Sequence, residues 1–272
     1  MVHEDLIYDV GMNDGSDTAY YLSRGVRVLA IEANPLLARS AGERFATFVQ
    51  AGQLRVLNIG IADRCGVLPF WVNQADSKWS SFNYELASKH RTSCQSLDVE
   101  CTTFGRILAE YGVPYFMKID IEGYDSYCID ALETGRCPRY LSVEFFRGDF
   151  EQMLSRLGQL GYRRFKIIEQ ENHTSGMPIF PHEKAARMLR KICRLFPVAG
   201  ELMKSLPAWS KPNKYEFLRP QPQQCGDSGP FGEDTQGPWR SIAEIRRLAG
   251  WLHSRNVAIG LLESWYDLHA AL

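Results

Sequence analysis

Asp9, Gly11, Asn13 and Gly15 fall at every second position in IYDVGMNDGSDTAYYL, residues 7–22, directly after a short apolar run. An acid followed by small or flexible residues makes a turn that little side chain obstructs. A turn without glycine would hold a ligand off by the width of a Cβ; here the backbone amides and the start of the next helix are within reach. Seventeen residues after Gly15, Glu32 ends a second apolar run, VRVLAIE. A carboxylate there can accept hydrogen bonds from both hydroxyls of a ribose. Turn and acid together describe a site for an adenosine-type nucleotide.

The charges decide between nucleotides. The G-x-G-x-x-G spacing that seats a pyrophosphate is missing, because Asp14 and Asp17 stand where small residues would be needed. Asp9, Asp14 and Asp17 would repel a pyrophosphate but suit an ammonium and a sulfonium. A second acidic cluster, KIDIEGYD at 118–125, follows a later apolar run. The expected ligand is S-adenosylmethionine, with S-adenosylhomocysteine as product, and the alternative is a nicotinamide dinucleotide serving an oxidoreductase.

Methyl transfer to a hydroxyl needs an aligned oxygen and a base for its proton. The candidates are Asp120, Glu122, Glu144 and His173, with Lys118 orienting an acid or touching substrate. Glu144 stands in the otherwise apolar LSVEF, where an unpaired carboxylate is costly, so it is either functional or the partner of Lys118 or a backbone amide. His173, in ENHTSG, either reaches over the site or sits on an exposed loop. Asp120, Glu122, Asp125 and Glu144 could offer Mg²⁺ an oxygen-only site, but Asp120 to Asp125 also reads as a loop leading into an acidic helix start, and no metal is assigned.

These residues need a scaffold that brings strand ends together. LIYDV (6–10), VRVLAIE (26–32), LRVLNIG (54–60), YFMKID (115–120), YLSVEF (140–145) and RFKIIE (164–169) read as strands. VLPFWV (67–72) and LDVECT (97–102) also read as strands, and Pro69 suits a sheet edge. Helices are expected at 17–24, from Asn34-Pro35 to about Ala46, over FGRILAEY after Thr103, near 124–133 and at 149–160. Alternating strands and helices imply a mostly parallel α/β sheet covered on both faces, with ligands at the carboxyl ends of its strands. Residues 1–170 form this Rossmann-like core. Residues 171–213 read as a helical lid insertion carrying the basic helix EKAARMLRKICRLF. Residues 214–272 supply a last strand, KYEFLRP, antiparallel to RFKIIE, then a Gly/Pro-rich loop and C-terminal helices. In that loop Phe231 and Trp239 either pack on a sugar or anchor the chain.

The 272 residues carry a net charge of -1, which gives no reason to expect nucleic acid as a partner. No apolar stretch is long enough to span a bilayer, and the start lacks the pattern of a signal peptide. Seven cysteines without a C-x-x-C pair read as free thiols in a reducing cytoplasm. Nothing in the sequence sets an oligomeric state.

YDVGMNDGSDT, AIEANP, NIGIADRCGVLPFWVN, the paired Ser80-Ser81, FMKIDIEGYD and LSVEF resemble the FkbM family of class I S-adenosylmethionine-dependent methyltransferases. SGPFGEDTQGPW is similar to a segment of bacterial members. The resemblance implies a seven-stranded methyltransferase sheet and O-methylation of a small-molecule or sugar hydroxyl, with N- or carboxyl-methylation as the alternative. By position it places Asp9, Gly11, Asn13 and Gly15, with Ser16 and Thr18, along the methionine arm. Glu32 and Ala33 would take the ribose, Asn58, Gly60 and Ile61 would flank adenine, and Asp120 would lie near the transferable methyl.

Overall fold

The computed structural model describes residues 2–145, 149–170, 174–175, 226, 228–259 and 266–272. In chain order the main sheet takes β1 (Val2–Val10), β2 (Arg27–Glu32), β3 (Leu54–Asn58), β7 (Val113–Ile119), β8 (Tyr140–Glu144), β9 (Arg164–Glu169), β10 (Thr174–Ser175) and β11 (Tyr266–Ala271). Their spatial order is β10-β9-β11-β8-β7-β1-β2-β3. Strands β3, β2, β1, β7 and β8 are mutually parallel, and β11 runs antiparallel to both β8 and β9. The expected mostly parallel, seven-stranded α/β sheet is present, with the two-residue β10 added at one edge.

The helices form where their ends are marked. Asn34 caps α2 (Pro35–Arg44) by accepting from the Leu36 amide at 3.0 Å, and Pro35 fills the first turn. Glu244 reaches back to both the amide and the hydroxyl of Ser241, which starts the long helix Ile242–Ile259. Thr103 precedes α5 (Phe104–Tyr111) as expected, but its hydroxyl makes no capping bond. The central strands are apolar along nearly their whole length because both faces are covered. One face packs Tyr8, Met117 and Leu141 with Phe104, Leu154 and Ile245; the other packs Ile7 and Phe116 with Tyr21 and Phe45.

A second sheet projects from this body. It has order β4-β6-β5, with β4 (Gly60–Ile61), β5 (Gly66–Asn73) and β6 (Cys94–Thr102). Sequence ran β3 and β4 together as one strand; the chain leaves the main sheet after Asn58 and joins the small one at Gly60. Pro69 lies on the edge strand β5, where its missing amide costs no ladder bond.

The six-residue strand paired antiparallel with β9 is β11, a place for which sequence offers KYEFLRP. Residues 214–220 lie outside the described residues, as do His173 and the basic helix at 184–194. Among the described residues no helix is long and apolar enough to cross a membrane. Phe231 stacks on Phe116 with ring centres 4.9 Å apart, and Trp239 stacks on Tyr140 at 6.0 Å, so both anchor the C-terminal loop.

Candidate active site

The strand order reverses between β1 and β7, and a crevice opens at their carboxyl ends. Gly11 and Met12 both donate backbone bonds to the Ile31 carbonyl, and the Asp120 amide donates to Val10, so three strand tips are laced together. Gly11 has φ +83°, and a Cβ there would overlap the Asp120 carbonyl oxygen. Gly15, at φ +79°, faces the Phe45 ring in the same way. The glycines therefore clear space for the protein's own atoms.

Lys118 lies at the centre of this lacing. It is 4% exposed; its Nζ donates to the Gly11 carbonyl at 2.8 Å and stands 3.6 Å from carboxylate oxygens of Asp9, Asp17 and Asp120. Burial acts to lower its pKa, but the carboxylates of Asp120, Asp9 and Asp17 outweigh it and hold the group well above its ordinary range. Asp9 also accepts from the Thr18 hydroxyl at 2.6 Å, and Asp17 accepts from the Ser228 amide at 2.9 Å. The ammonium thus fixes β1, helix α1 (Ser16–Ser23) and β7, and Asp17 ties in the C-terminal loop.

Glu32 ends β2 with both carboxylate oxygens directed at backbone: Oε2 accepts from Asn13 at 2.7 Å and Oε1 from Asn34 at 2.8 Å. Burial is the main influence and pushes its carboxyl up to about 7, against those two hydrogen bonds. Asn13 holds a left-handed backbone, φ +50°, and its side-chain oxygen accepts from Ser77 at 2.7 Å.

A cavity of about 210 Å³ occupies the crevice. Of the residues singled out in the sequence, Gly11, Asn13, Ser16, Glu32, Ala33, Gly60 and Ile61 line it. Lys118, Asp120, Glu122 and Glu144 complete the wall on the β7–β8 side. Asp9, Gly15, Thr18 and Asn58 are not in its lining. Asn58 donates to the carbonyls of Glu32 and Ala33, so it braces the turn beneath the cavity. Asp17, one of the acids expected to suit the ligand's positive charge, also lines it, and residues not foreseen as lining include Phe70, Trp79, Phe82, Tyr124 and Gln170. Trp79 and Phe82 come from the β5–β6 connection, which folds back over the crevice. It is pinned there by Ser77 on Asn13 and by the Ser81 hydroxyl donating to the Glu122 carbonyl at 2.7 Å.

The candidate bases differ sharply in surroundings. Glu122 pairs with Lys89 at 3.1 Å and, with burial dominant, titrates at about 7. Asp125 spends both oxygens on the amides of Ile121 and Gly123, shaping the turn before helix α6 (Asp125–Asp130). Glu144 is 5% exposed, and its Oε2 has no hydrogen-bond partner among the described residues. Burial, then the negative charges of Asp120, Glu122, Asp125 and Asp267, hold its carboxyl well above the ordinary range. The expected alternative of a Lys118 partner does not apply, since Lys118 faces Asp9, Asp17 and Asp120 instead. Glu144 also borders a second cavity of about 170 Å³, between α6 and helix α7 (Phe150–Leu160), so it forms a wall common to both. Among the described residues no group of three or more His, Cys, Asp or Glu is placed to hold a metal ion.

The arrangement fits a cationic nucleoside. Asp17, Asp120 and Glu144 line the cavity together with Glu32, while Ile59, Ile61, Phe70 and Phe82 give an apolar slot. The model of the FkbM methyltransferase domain matches residues 9–164. Similar solved structures include S-adenosylmethionine-dependent methyltransferases from Thiobacillus denitrificans and Geobacter sulfurreducens, both in complex with S-adenosylhomocysteine. Each is 10% identical with TM-score 0.35, covering 100% of this chain and 86% of theirs. A precorrin-6y C5,15-methyltransferase from Geobacter metallireducens is 13% identical with TM-score 0.33, over 62% of this chain and 71% of its own. No match was found among curated proteins. The domain match spans more than half of the sequence and includes the β1 turn, Glu32, the Asp120 turn and Glu144: the chain belongs to the FkbM methyltransferase family.

Proposed function

We propose that this methyltransferase acts on a hydroxyl of a small molecule or sugar, with Glu144 as the base. The carrying observation is the state of Glu144: a buried carboxylate, one oxygen unpartnered among the described residues, in the wall common to two adjoining cavities. A hydroxyl acceptor must lose a proton as it is methylated. A carboxylate that burial and like charges make more basic is suited to take it. An amine acceptor would have less need of such a group, and a carboxylate acceptor would meet Asp120, Glu122 and Glu144 as like charges. The family match sets the oxidoreductase alternative aside.

When bound, S-adenosylmethionine supplies an electrophilic methyl on a sulfonium. In this reading Glu32 and Ala33 receive the ribose and Ile61 borders the adenine. Gly11, Asn13 and Ser16 line the methionine arm, with Asp17 and Asp120 facing its positive charges. Asp9, Thr18, Gly15 and Asn58 act at one remove by holding the walls. Lys118 keeps Asp17 and Asp120 in place, and the β5–β6 connection screens the crevice from water.

Calorimetric titration with S-adenosylhomocysteine, followed by labelled S-adenosylmethionine and a panel of hydroxylated metabolites and sugars, tests this. Glu144→Gln is expected to keep product affinity within about threefold and to lower transfer by about a hundredfold or more. Full activity in Glu144→Gln, or transfer confined to amines, would overturn it.

A further inference from the structure

Asp267 lies on β11, beyond the region that the family model matches, and no sequence motif pointed to it. Its place is set by strand pairing: β11 runs antiparallel to β8 with Asp267 opposite Glu144. Residues directly opposite one another in an antiparallel pair point to the same face, with Cβ atoms about 5 Å apart. Asp267 is 2% exposed and Glu144 5%. Among the described residues each has one carboxylate oxygen without a hydrogen-bond partner: Oδ2 of Asp267 and Oε2 of Glu144. The other oxygen of Asp267 accepts from Gln170 Nε2 at 2.9 Å, and Gln170 lines the main cavity alongside Glu144.

We infer that Glu144 and Asp267 act as one acid pair sharing a single proton, with Asp267 the positioning residue that sets how strongly Glu144 attracts a proton. The inference rests on the reading of Glu144 as the base and extends it to a strand remote in sequence. Two buried carboxylates facing each other cannot both carry a charge cheaply. One proton between them halves the charge and supplies a donor for the two oxygens that have none among the described residues. The surrounding groups relieve this only in part: Lys118 and the Gln170 hydrogen bond favour the charged form of Asp267, and Asp120 and Asp17 oppose it. From β7 and the turn after it come Asp120, Glu122 and Asp125, all acids, and Lys118, held by the Gly11 carbonyl, Asp9, Asp17 and Asp120. From α1 come Asp17 and the buried Tyr21, and further along β11 and β9 lie His269 and Lys166. Burial, ahead of the charges of Asp120 and Asp17, raises Asp267 to about 7.

The chemistry balances with one proton already resident. The acceptor's O–H bond breaks and its proton passes to the unprotonated member of the pair. The oxygen bonds to the methyl carbon, and the electrons of the broken carbon–sulfur bond stay on sulfur. The pair ends neutral, a state that burial favours, and returns one proton to water before the next turnover.

The test needs neither donor nor acceptor. Carboxyl-¹³C Asp and Glu are incorporated into the full chain, and Glu144 and Asp267 are followed by NMR from pH 4 to 10. In the wild-type chain the two are expected to titrate as coupled steps. In Asp267→Asn the Glu144 midpoint falls by about one pH unit or more, and Asp267→Glu restores coupling. An unmoved Glu144 midpoint in a folded Asp267→Asn protein overturns the pair. Should that variant fail to fold by circular dichroism, Glu144→Gln read at Asp267 decides in the same way, an unmoved Asp267 midpoint sinking the idea. Failure of the wild-type chain to bind S-adenosylhomocysteine would count against the donor site alone. A pair that titrates as expected but leaves the Glu144→Gln enzyme fully active would count against the base.

Discussion

Lys118 Nζ donates to the carbonyl of Gly11 at 2.8 Å, and so joins the tips of two strands whose residues lie 107 positions apart. The same ammonium faces three carboxylates at 3.6 Å. Removing one partner of a buried ionic cluster leaves uncompensated charge, which typically costs about 3–5 kcal/mol. Lys118→Met is therefore expected to lose stability of that order in urea unfolding. Lys89→Met, which releases Glu122 on a more exposed pair, is expected to lose much less. Equal losses would mean that Lys118 is not the central tie.

The role of Gly11 can be separated from its backbone angle. Gly11 and Gly25 both have positive φ, +83° and +79°, but a Cβ at Gly25 would meet nothing within 4 Å. Alanine at either pays the conformational cost, about 1 kcal/mol. Only Gly11→Ala also forces the β1 and β7 tips apart against the Asp120 carbonyl. Denaturant midpoints should place Gly11→Ala at least about 2 kcal/mol below Gly25→Ala. A difference near zero would return Gly11 to a purely conformational role.

Most of the sheet was legible because its parallel strands are short apolar runs ended by glycine, asparagine or acid. The site was legible in the same places, since Glu32, Asp120 and Glu144 each follow such a run. The rest was hidden for physical reasons. YDLHAA carries Asp267 and His269 in a fully buried strand, so its polarity masks its burial. The D-x-G-x-N-x-G turn suggested ligand contact at all four positions, yet only Gly11 and Asn13 line the cavity. Asp9 serves Thr18 and Lys118, and Gly15 makes room for Phe45. The lining from Trp79 and Phe82 depends on how the β5–β6 connection folds back, which no local pattern reports.

The concentration of buried acids has a consequence for stability. Burial raises Glu32, Glu122 and Asp267 to about 7 and Asp125 to about 6, from ordinary values of 3.8 to 4.5. A carboxyl whose folded pKa is raised binds its proton more tightly in the native state than when unfolded. Its contribution is full below pH 4 and is lost as pH rises through 6 and 7. The ligand-free protein is expected to melt several degrees lower at pH 8 than at pH 5. Glu32→Gln should flatten the slope. A melting temperature that climbs across this interval would contradict the burial of these groups.

Glu32 and Asn58 were both expected at the nucleoside, and the structure separates them. Glu32, its carboxylate held by the amides of Asn13 and Asn34, lines the cavity, whereas Asn58 donates to the carbonyls of Glu32 and Ala33 and is not in the lining. Loss of a charged acceptor for two hydroxyls should weaken S-adenosylhomocysteine by at least tenfold, about 1.4 kcal/mol, in Glu32→Ala. Asn58→Ala should stay within about threefold, because the main-chain turn it braces is also held by the Ile59 amide on the Glu32 carbonyl. Calorimetry on both variants at pH 8, where Glu32 is charged, gives the comparison. An Asn58→Ala protein that binds as weakly as Glu32→Ala would move the ribose away from the β2 tip toward β3.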